Sequence, residues 1–362
     1  MYIGLDVHKK LSYYSMVDGE GTEVKRGRFP TTCEGLDEFA SKLPEGAKVA
    51  IEASTSGIFA YERLDEGGIE VHLAHPVYVK PFAKKHVKTD KVDARVLAQL
   101  LRMAYLPESY VPGKEIRDQR VLIRHHASLV RLRTSIKNRI HALLAIEGIQ
   151  TSEFSDLFGK KGMEFLKGVK LREVRRKALD NYLEVLKALE EKIEEMEAIL
   201  KERAKITDEA EWLMSIPGIG YHNALLILSE LGEIERFSNP KSMVSYSGLA
   251  PKVEQSGDYK RYGHINKHSN GFLRWAFIHS ARAAVRSSKP NRFQRIYNKI
   301  KARRGKKWQS LQQLVIWRIG LLGADKEGIR KNRAIRVLSF SWSYGFTKKK
   351  GVEHKSKREM DG

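Results

Sequence analysis

Four carboxylates stand where a pair of hard cations could be held. Asp6 ends the apolar run YIGLDV, Glu52 ends AKVAIE, and Asp90 and Asp93 open the helical segment HVKTDKVDARVLAQLLR. A spacing of three puts Asp90 and Asp93 on one helix face, and a helix N-terminus favours their ionised form. Acids at adjacent strand ends plus such a pair can converge on one point. Two-metal phosphoryl transfer needs that geometry: carboxylate oxygens hold two magnesium ions ~3.5–4 Å apart, beside the attacking and leaving oxygens. Other acids fit less well. Asp18, Glu20 and Glu23 sit in a turn, and Glu62, Asp65 and Glu66 read as a solvated helix face.

Two further groupings point at phosphate. SIPGIGYHNALLILSELG (215–232) has the pattern apolar-Pro-Gly-apolar-Gly ahead of an apolar helix, a helix–hairpin–helix signature. Gly218 and Gly220 allow the tight turn, and the amides at the next helix N-terminus can face a backbone phosphate without reading sequence. In the second grouping, Gln255-Ser256-Gly257 lies between Lys252 and Lys260-Arg261. A loop serine among cations can act as a nucleophile toward phosphate, the cations stabilising the pentavalent state. Ser245, Ser247 and Ser269 are alternatives for that role.

These residues need a scaffold. YIGLDV, LSYYSMV (11–17) and EVKRGRF (23–29) read as three successive strands, with turn residues between the second and third. Helix CEGLDEFASKL, strand AKVAIE, helix IFAYERLDEGG and strand IEVHLA come next. Three antiparallel strands and then alternating helix and strand match a ribonuclease-H-like layout. Beyond it, 114–147 is a long helix in which Leu122, Leu129, Ile136 and Leu143 recur every seven residues, as do Arg117, Arg124 and Arg131 on another face. The helix 172–205 has a cleaner heptad: Leu179, Leu186, Ile193 and Leu200 in one seam position, Tyr182, Leu189 and Met196 in the other. Both are coiled-coil patterns and predict self-association, with an intrachain helical hairpin as the alternative. Residues 246–270 read as mostly irregular, and the chain is helical after Asn270.

The chain has 362 residues and a formal net charge of +22, from 66 Lys plus Arg against 44 Asp plus Glu. Residues 1–95 carry 14 basic and 15 acidic side chains, so the excess lies entirely in residues 96–362. A near-neutral first part and a basic remainder predict a polyanion bound by the second part. No run reaches the ~18 apolar residues of a spanning helix. MYIGLDVHKK does not read as a secretion signal. Cys33 is the single cysteine, which excludes a disulfide framework and a cysteine-rich metal site, and leads to the expectation of a reducing cytoplasm.

Taken in order, GLDVHK (4–9), IEASTSG (51–57), KTDKVDARVLAQLL (88–101), SIPGIG (215–220), FSNPKSMVSYSGLAP (237–251), QSGDYKRYGHINK (255–267) and NGFLRWAFIHSA (270–281) resemble the insertion-sequence-110 transposase family over residues 1–305. The resemblance implies a RuvC-like first domain whose DEDD acids, here Asp6, Glu52, Asp90 and Asp93, bind magnesium. It also implies a serine nucleophile, which the Gln-Ser-Gly match sets on Ser256. Further, it implies a recombinase guided by a structured non-coding RNA that pairs with donor and target DNA. Two stretches depart from the family pattern. Lys267-His268-Ser269-Asn270 stands where Lys-Arg-Gly-Asn is common, and after KARRGKK (301–307) the usual long Ala/Val-rich helix is replaced.

The expected organisation is therefore a RuvC-like α/β domain (1–108), a helical coiled-coil region for oligomerisation (109–208), an all-α transposase domain with a helix–hairpin–helix (209–322) and a disordered basic tail (323–362). The expected activity is magnesium-dependent DNA strand transfer without ATP. Gly218, Gly220, Lys260, Arg261, Lys267, Arg274, Arg117, Arg124 and Arg131 are the candidate nucleic-acid contacts. The expected assembly is a dimer, and a tetramer on DNA, in a prokaryotic cytoplasm. The competing readings are a RuvC-like nuclease that uses water, and a non-catalytic nucleic-acid-binding remnant.

Overall fold

Alternation builds the first sheet. The computed structural model describes residues 1–82, 90–238, 240–256, 259–265 and 269–304. Along β1 (Tyr2–Val7), Ile3, Leu5 and Val7 share one face, which leaves Gly4 and Asp6 on the other. β2 (Leu11–Val17) and β3 (Glu23–Pro30) run antiparallel to their predecessors; β4 (Lys48–Glu52) and β5 (Glu70–Ala74) add in parallel beyond β1. The strand order is β3-β2-β1-β4-β5. This mixed sheet fits the ribonuclease-H-like layout expected from the sequence.

Helices α1 (Cys33–Ser41) and α2 (Thr55–Glu66) cover one face, packing Leu36, Phe39, Ala60 and Leu64 on Ile3, Leu5, Val49 and Ile51. After the short α3 (Pro76–Val79), α4 (Asp90–Arg102) covers the other face, where Leu97, Leu100 and Leu101 meet Ala50 and Ala74. The chain then returns along β5. His75 donates its amide to the Pro107 carbonyl and Ser109 to that of Leu73, and this unit runs Met1–Pro112.

The second unit, Gly113–Gly362, begins with α5 (Lys114–Ile146), α6 (Lys160–Gly168) and α7 (Glu173–Lys205). The seam expected to join separate copies is occupied within the chain itself. Leu179, Leu183 and Leu186 of α7 pack on Ile140 and Leu144 of α5, with Leu166 of α6 in the same cluster. On α5 the fully buried apolar residues are Ile123, Ile140 and Leu144, whereas the heptad positions Leu122, Leu129, Ile136 and Leu143 are only half-buried. A helix packed on more than one partner needs a stripe wider than a two-position seam.

Helices α8 (Asp208–Met214), α9 (Tyr221–Leu231), α10 (Pro240–Tyr246), α11 (Gly271–Arg286) and α12 (Arg292–Arg304) surround a second core of Leu213, Ile216, Leu225, Leu226, Leu273 and Phe277. The region is not all-α. β6 (Pro251–Ser256) and β7 (Tyr259–Ile265) pair antiparallel where an irregular loop was expected. The two-residue gap between them, Gly257-Asp258, is a hairpin signal. The expected basic tail, 323–362, lies outside the described residues. Among the described residues no helix is long and apolar enough to cross a membrane.

Candidate functional site

The β1–β4 register ends at Leu5 opposite Ile51. Asp6 and Glu52 are each one residue further, so they stand side by side at the C-terminal ends of neighbouring parallel strands. Their parity opposes that of Leu5 and Ile51, which turns them toward the face covered by α4. Gly4 makes that cover possible, since a methyl group there would fall on the backbone of Ala94 and Ala98. At the far end, Gln99 Nε2 donates to the Gly21 carbonyl (2.6 Å) and Arg102 Nη1 to that of Gly19 (3.1 Å), in the turn after β2. That turn lies beside Tyr2, so α4 runs against β1 and its N-terminal end lies at the Asp6 end. Half-buried Asp93 therefore belongs to the same end as Asp6 and Glu52. Asp90 is the first residue of α4, and its side chain lies outside the described residues.

The turn after Glu52 is set by Ser54, whose hydroxyl caps α2 by accepting from the Gly57 amide at 2.9 Å. His8 Nε2 lies 3.2 Å from Asp6 Oδ2. Carboxylate oxygens suit a hard divalent cation. Among the described residues no three His, Cys, Asp or Glu side chains are already drawn together as a cation site.

Ser256 is exposed at the last paired position of β6, opposite Tyr259. Its rivals differ in environment. Ser247 is buried and its hydroxyl donates to the Met243 carbonyl at 2.7 Å. Ser269 is half-buried, with its hydroxyl close over Gly248, while Ser245 is exposed. Arg261 is exposed on β7. The Lys260 side chain and all of Lys267 lie outside the described residues.

Sequence reasoning passed over Glu230, whose side chain is 0% exposed. Arg124 of α5 forks onto it with Nε and Nη2, at 2.7 and 2.8 Å, and Asn270 Nδ2 donates at 2.7 Å. Arg120 donates to the Ser229 and Glu230 carbonyls, and the Tyr246 hydroxyl donates to the latter at 3.3 Å. Burial pushes the Glu230 pKa up, but the hydrogen bonds from Arg124 and Asn270 and the two guanidinium charges outweigh it, leaving the group below the usual carboxylate range. The signal was visible: one acid inside the apolar run ALLILSEL. Of the arginines assigned to nucleic acid, Arg124 is thus committed to an internal carboxylate. Arg124 and Arg131 lie over the Phe272 ring, Arg117 is half-buried, and Arg274 packs near Gly248.

Glu230→Ala is expected to cost about 3 kcal/mol, because it strands the Arg124 guanidinium and the Asn270 amide. Half-exposed Arg124 keeps the figure at the low end of that range. Denaturant unfolding measures it, and a loss under about 1 kcal/mol overturns the assignment. Replacing both Glu230 and Arg124 by leucine should cost less than Glu230→Ala alone.

Gly218 has φ of +91°, and a methyl group there would fall on the Ser280 carbonyl and the Ala284 backbone. It is a close-approach glycine between the turn and α11. Gly220 precedes α9 as its cap, with open space around its Cα. Behind this turn, the His126 and His222 rings lie 4.7 Å apart, tilted by 52°. Burial and the neighbouring His126 hold His222 near pKa 4, against opposing contributions from Asn223 and Glu197. Burial likewise lowers His126. Folded His222 binds its proton below the ordinary 6.5, so this contribution is complete above pH 6.5 and is lost as pH falls toward 4. The loss amounts to about 3 kcal/mol. Unfolding free energies between pH 7.5 and 4.5 should fall more steeply in the wild type than in His222→Gln. Equal slopes overturn the assignment.

Two family models match the chain. One, a transposase model of the DEDD IS110 type, covers residues 3–147, and the other, described as transposase IS116/IS110/IS902 family, covers 210–298. The first spans every one of the four acids, and the second spans the Gly218 turn, Glu230 and Ser256. Among curated proteins, the chain is 29% identical over 296 residues to the transposase for insertion sequence element IS1111A of Coxiella burnetii, covering 79% of this chain and 78% of that one. A probable family 20 transposase of Pseudomonas aeruginosa is 29% identical over 78% of this chain and 84% of its own. The transposase for IS1328 of Yersinia enterocolitica is 25% identical over 77% and 82%. A DEDD transposase domain points to use of a divalent metal. With both blocks in order and relatives aligned along most of their length, the chain belongs to the IS110/IS116 family of transposases, enzymes that cut and rejoin DNA.

Proposed function

We propose that this transposase transfers DNA strands through a phosphoserine ester on Ser256, assisted by magnesium held by Asp6, Glu52, Asp90 and Asp93. The observation that carries the reading is that Asp6, Glu52 and Asp93 stand at the same end of β1, β4 and α4. Hard oxygen donors suit magnesium. Bound there, the ions supply charge neutralisation at the transferring phosphate. The Ser256 hydroxyl gives up its proton as its oxygen bonds to phosphorus, and the displaced strand oxygen leaves with a proton. The reverse step, with a new strand end as nucleophile, rejoins DNA and frees the serine. One phosphodiester is exchanged for one phosphoserine ester, so no ATP is consumed. Exposure of Ser256 at a strand end supports it over buried Ser247 and half-buried Ser269.

The same reading includes a structured RNA that pairs with donor and target DNA, contact of the α9 N-terminus with a backbone phosphate, and assembly of several copies on DNA. Self-association is supported by apolar side chains left exposed on α7: Val174, Val185 and Ile199. The test is recombination of matched donor and target by the protein as purified, with co-purifying RNA sequenced and then digested. Recombination lost on RNA digestion and restored by the sequenced RNA bears the reading out. Unchanged recombination after complete digestion overturns the RNA guide. Cutting without any protein–DNA ester overturns the serine in favour of water.

A further inference from the structure

α11 carries one large apolar side chain on the wrong side. Leu273, Ala276, Phe277, Ala281 and Ala284 are buried, whereas Trp275 is 44% exposed. Trp275, His279, Arg282 and Arg286 recur at i, i+4, i+7 and i+11, which is a single helical stripe about 16 Å long. All four are exposed. The indole is backed rather than loose: the His279 ring lies 4.2 Å from it at 33°, and His222 meets it edge-on at 6.1 Å. Burial and the Arg282 charge lower the His279 pKa, so the imidazole beside the indole is neutral at pH 7. From Tyr259 to Ala324 the chain has 16 Lys or Arg and no acid.

We propose that this stripe binds single-stranded DNA, with an unpaired base stacked on Trp275 and the adjoining phosphates on Arg282 and Arg286. A backed aromatic ring beside guanidinium groups offers a base its π-face and the strand its counter-charge, which is how sequence-tolerant single-strand sites are built. A duplex keeps its bases stacked on each other, so it can use the arginines but not the indole. A stretch of sequence so rich in cations favours a polyanion over a protein partner. DNA is the occupant because the family acts on DNA. The inference rests on that action, not on Ser256 or on an RNA guide.

The experiment uses full-length protein in EDTA, so that binding is read without cleavage. The probe is a DNA strand of about 15 nucleotides carrying 2-aminopurine, alone, annealed to its complement, or as the RNA equivalent. Trp275→Ala is expected to weaken single-strand binding about tenfold, with duplex binding changed less than about twofold. Quenching of 2-aminopurine by the wild type should disappear. Trp275→Phe keeps a ring, should retain most of the affinity, and serves as the readout if the alanine variant folds poorly. Arg286→Ala should lower the salt slope by about one. Unchanged single-strand affinity and quenching in Trp275→Ala overturn the proposal, as does an equal loss for duplex. A loss confined to the RNA strand overturns the assignment to DNA. Binding is read in EDTA apart from cleavage and ester formation, so a failure here leaves the nucleophile untouched, and the reverse holds.

Discussion

Ser256→Ala is expected to abolish strand rejoining and the covalent protein–DNA ester together, lowering recombination by at least about a thousandfold. The hydroxyl is the only part removed. Ser256 ends β6 at an exposed position opposite Tyr259, so the substitution leaves no cavity and breaks no buried hydrogen bond. Folding stability should stay within about 0.5 kcal/mol, which separates chemistry from folding. A denaturing gel reads the ester and a junction assay reads rejoining. Ser269→Ala should keep both activities. Normal recombination by Ser256→Ala, with loss in Ser245→Ala or Ser269→Ala, moves the nucleophile to that residue. Normal recombination by all serine variants, with dependence on the acids alone, removes the covalent step.

Asp6→Ala should fail differently. It is expected to lower cleavage roughly a thousandfold, the several kcal/mol of charge stabilisation that bound metal supplies. DNA affinity in EDTA should be unchanged, because residues 1–95 carry no net positive charge. Raising magnesium should partly restore cleavage if metal affinity is what was lost. Cleavage by Asp6→Ala within tenfold of the wild type overturns the assignment. Asp93→Ala should match Asp6→Ala, since α4 delivers Asp93 to the same strand ends.

Sequence patterns are legible where local rules and tertiary packing agree. Strand ends marked by an acid after a buried run, YIGLD and KVAIE, gave the position of Asp6 and Glu52, because period-2 alternation survives in the fold. The heptads of 114–147 and 172–205 gave two long helices but not their partner. Leu186 has the same periodicity whether it packs on a second copy or on the chain's own α5, and only the fold distinguishes the two. The β6–β7 pair was hidden because Gly257, Gly263 and the cations dominate its composition, outweighing the two-residue turn spacing. Glu230 and Arg124 are 106 residues apart, so no local pattern joins them, and Arg124 alone looks like one more surface cation.

That long-range pair also bears on how the protein can be recombined with its relatives. Glu230 takes Arg124 from α5 and Asn270 from the start of α11, while Tyr246 and Asn270 bracket the segment that carries β6 and β7. A chimera that replaces residues from 209 onward would part Arg124 from its own Glu230 and Asn270. A junction near residue 113, in the connection between the two units, carries the whole ionic set across intact. Domain swaps made with this chain should therefore respect the second boundary, with α5 travelling as the companion of the segment that carries β6 and β7.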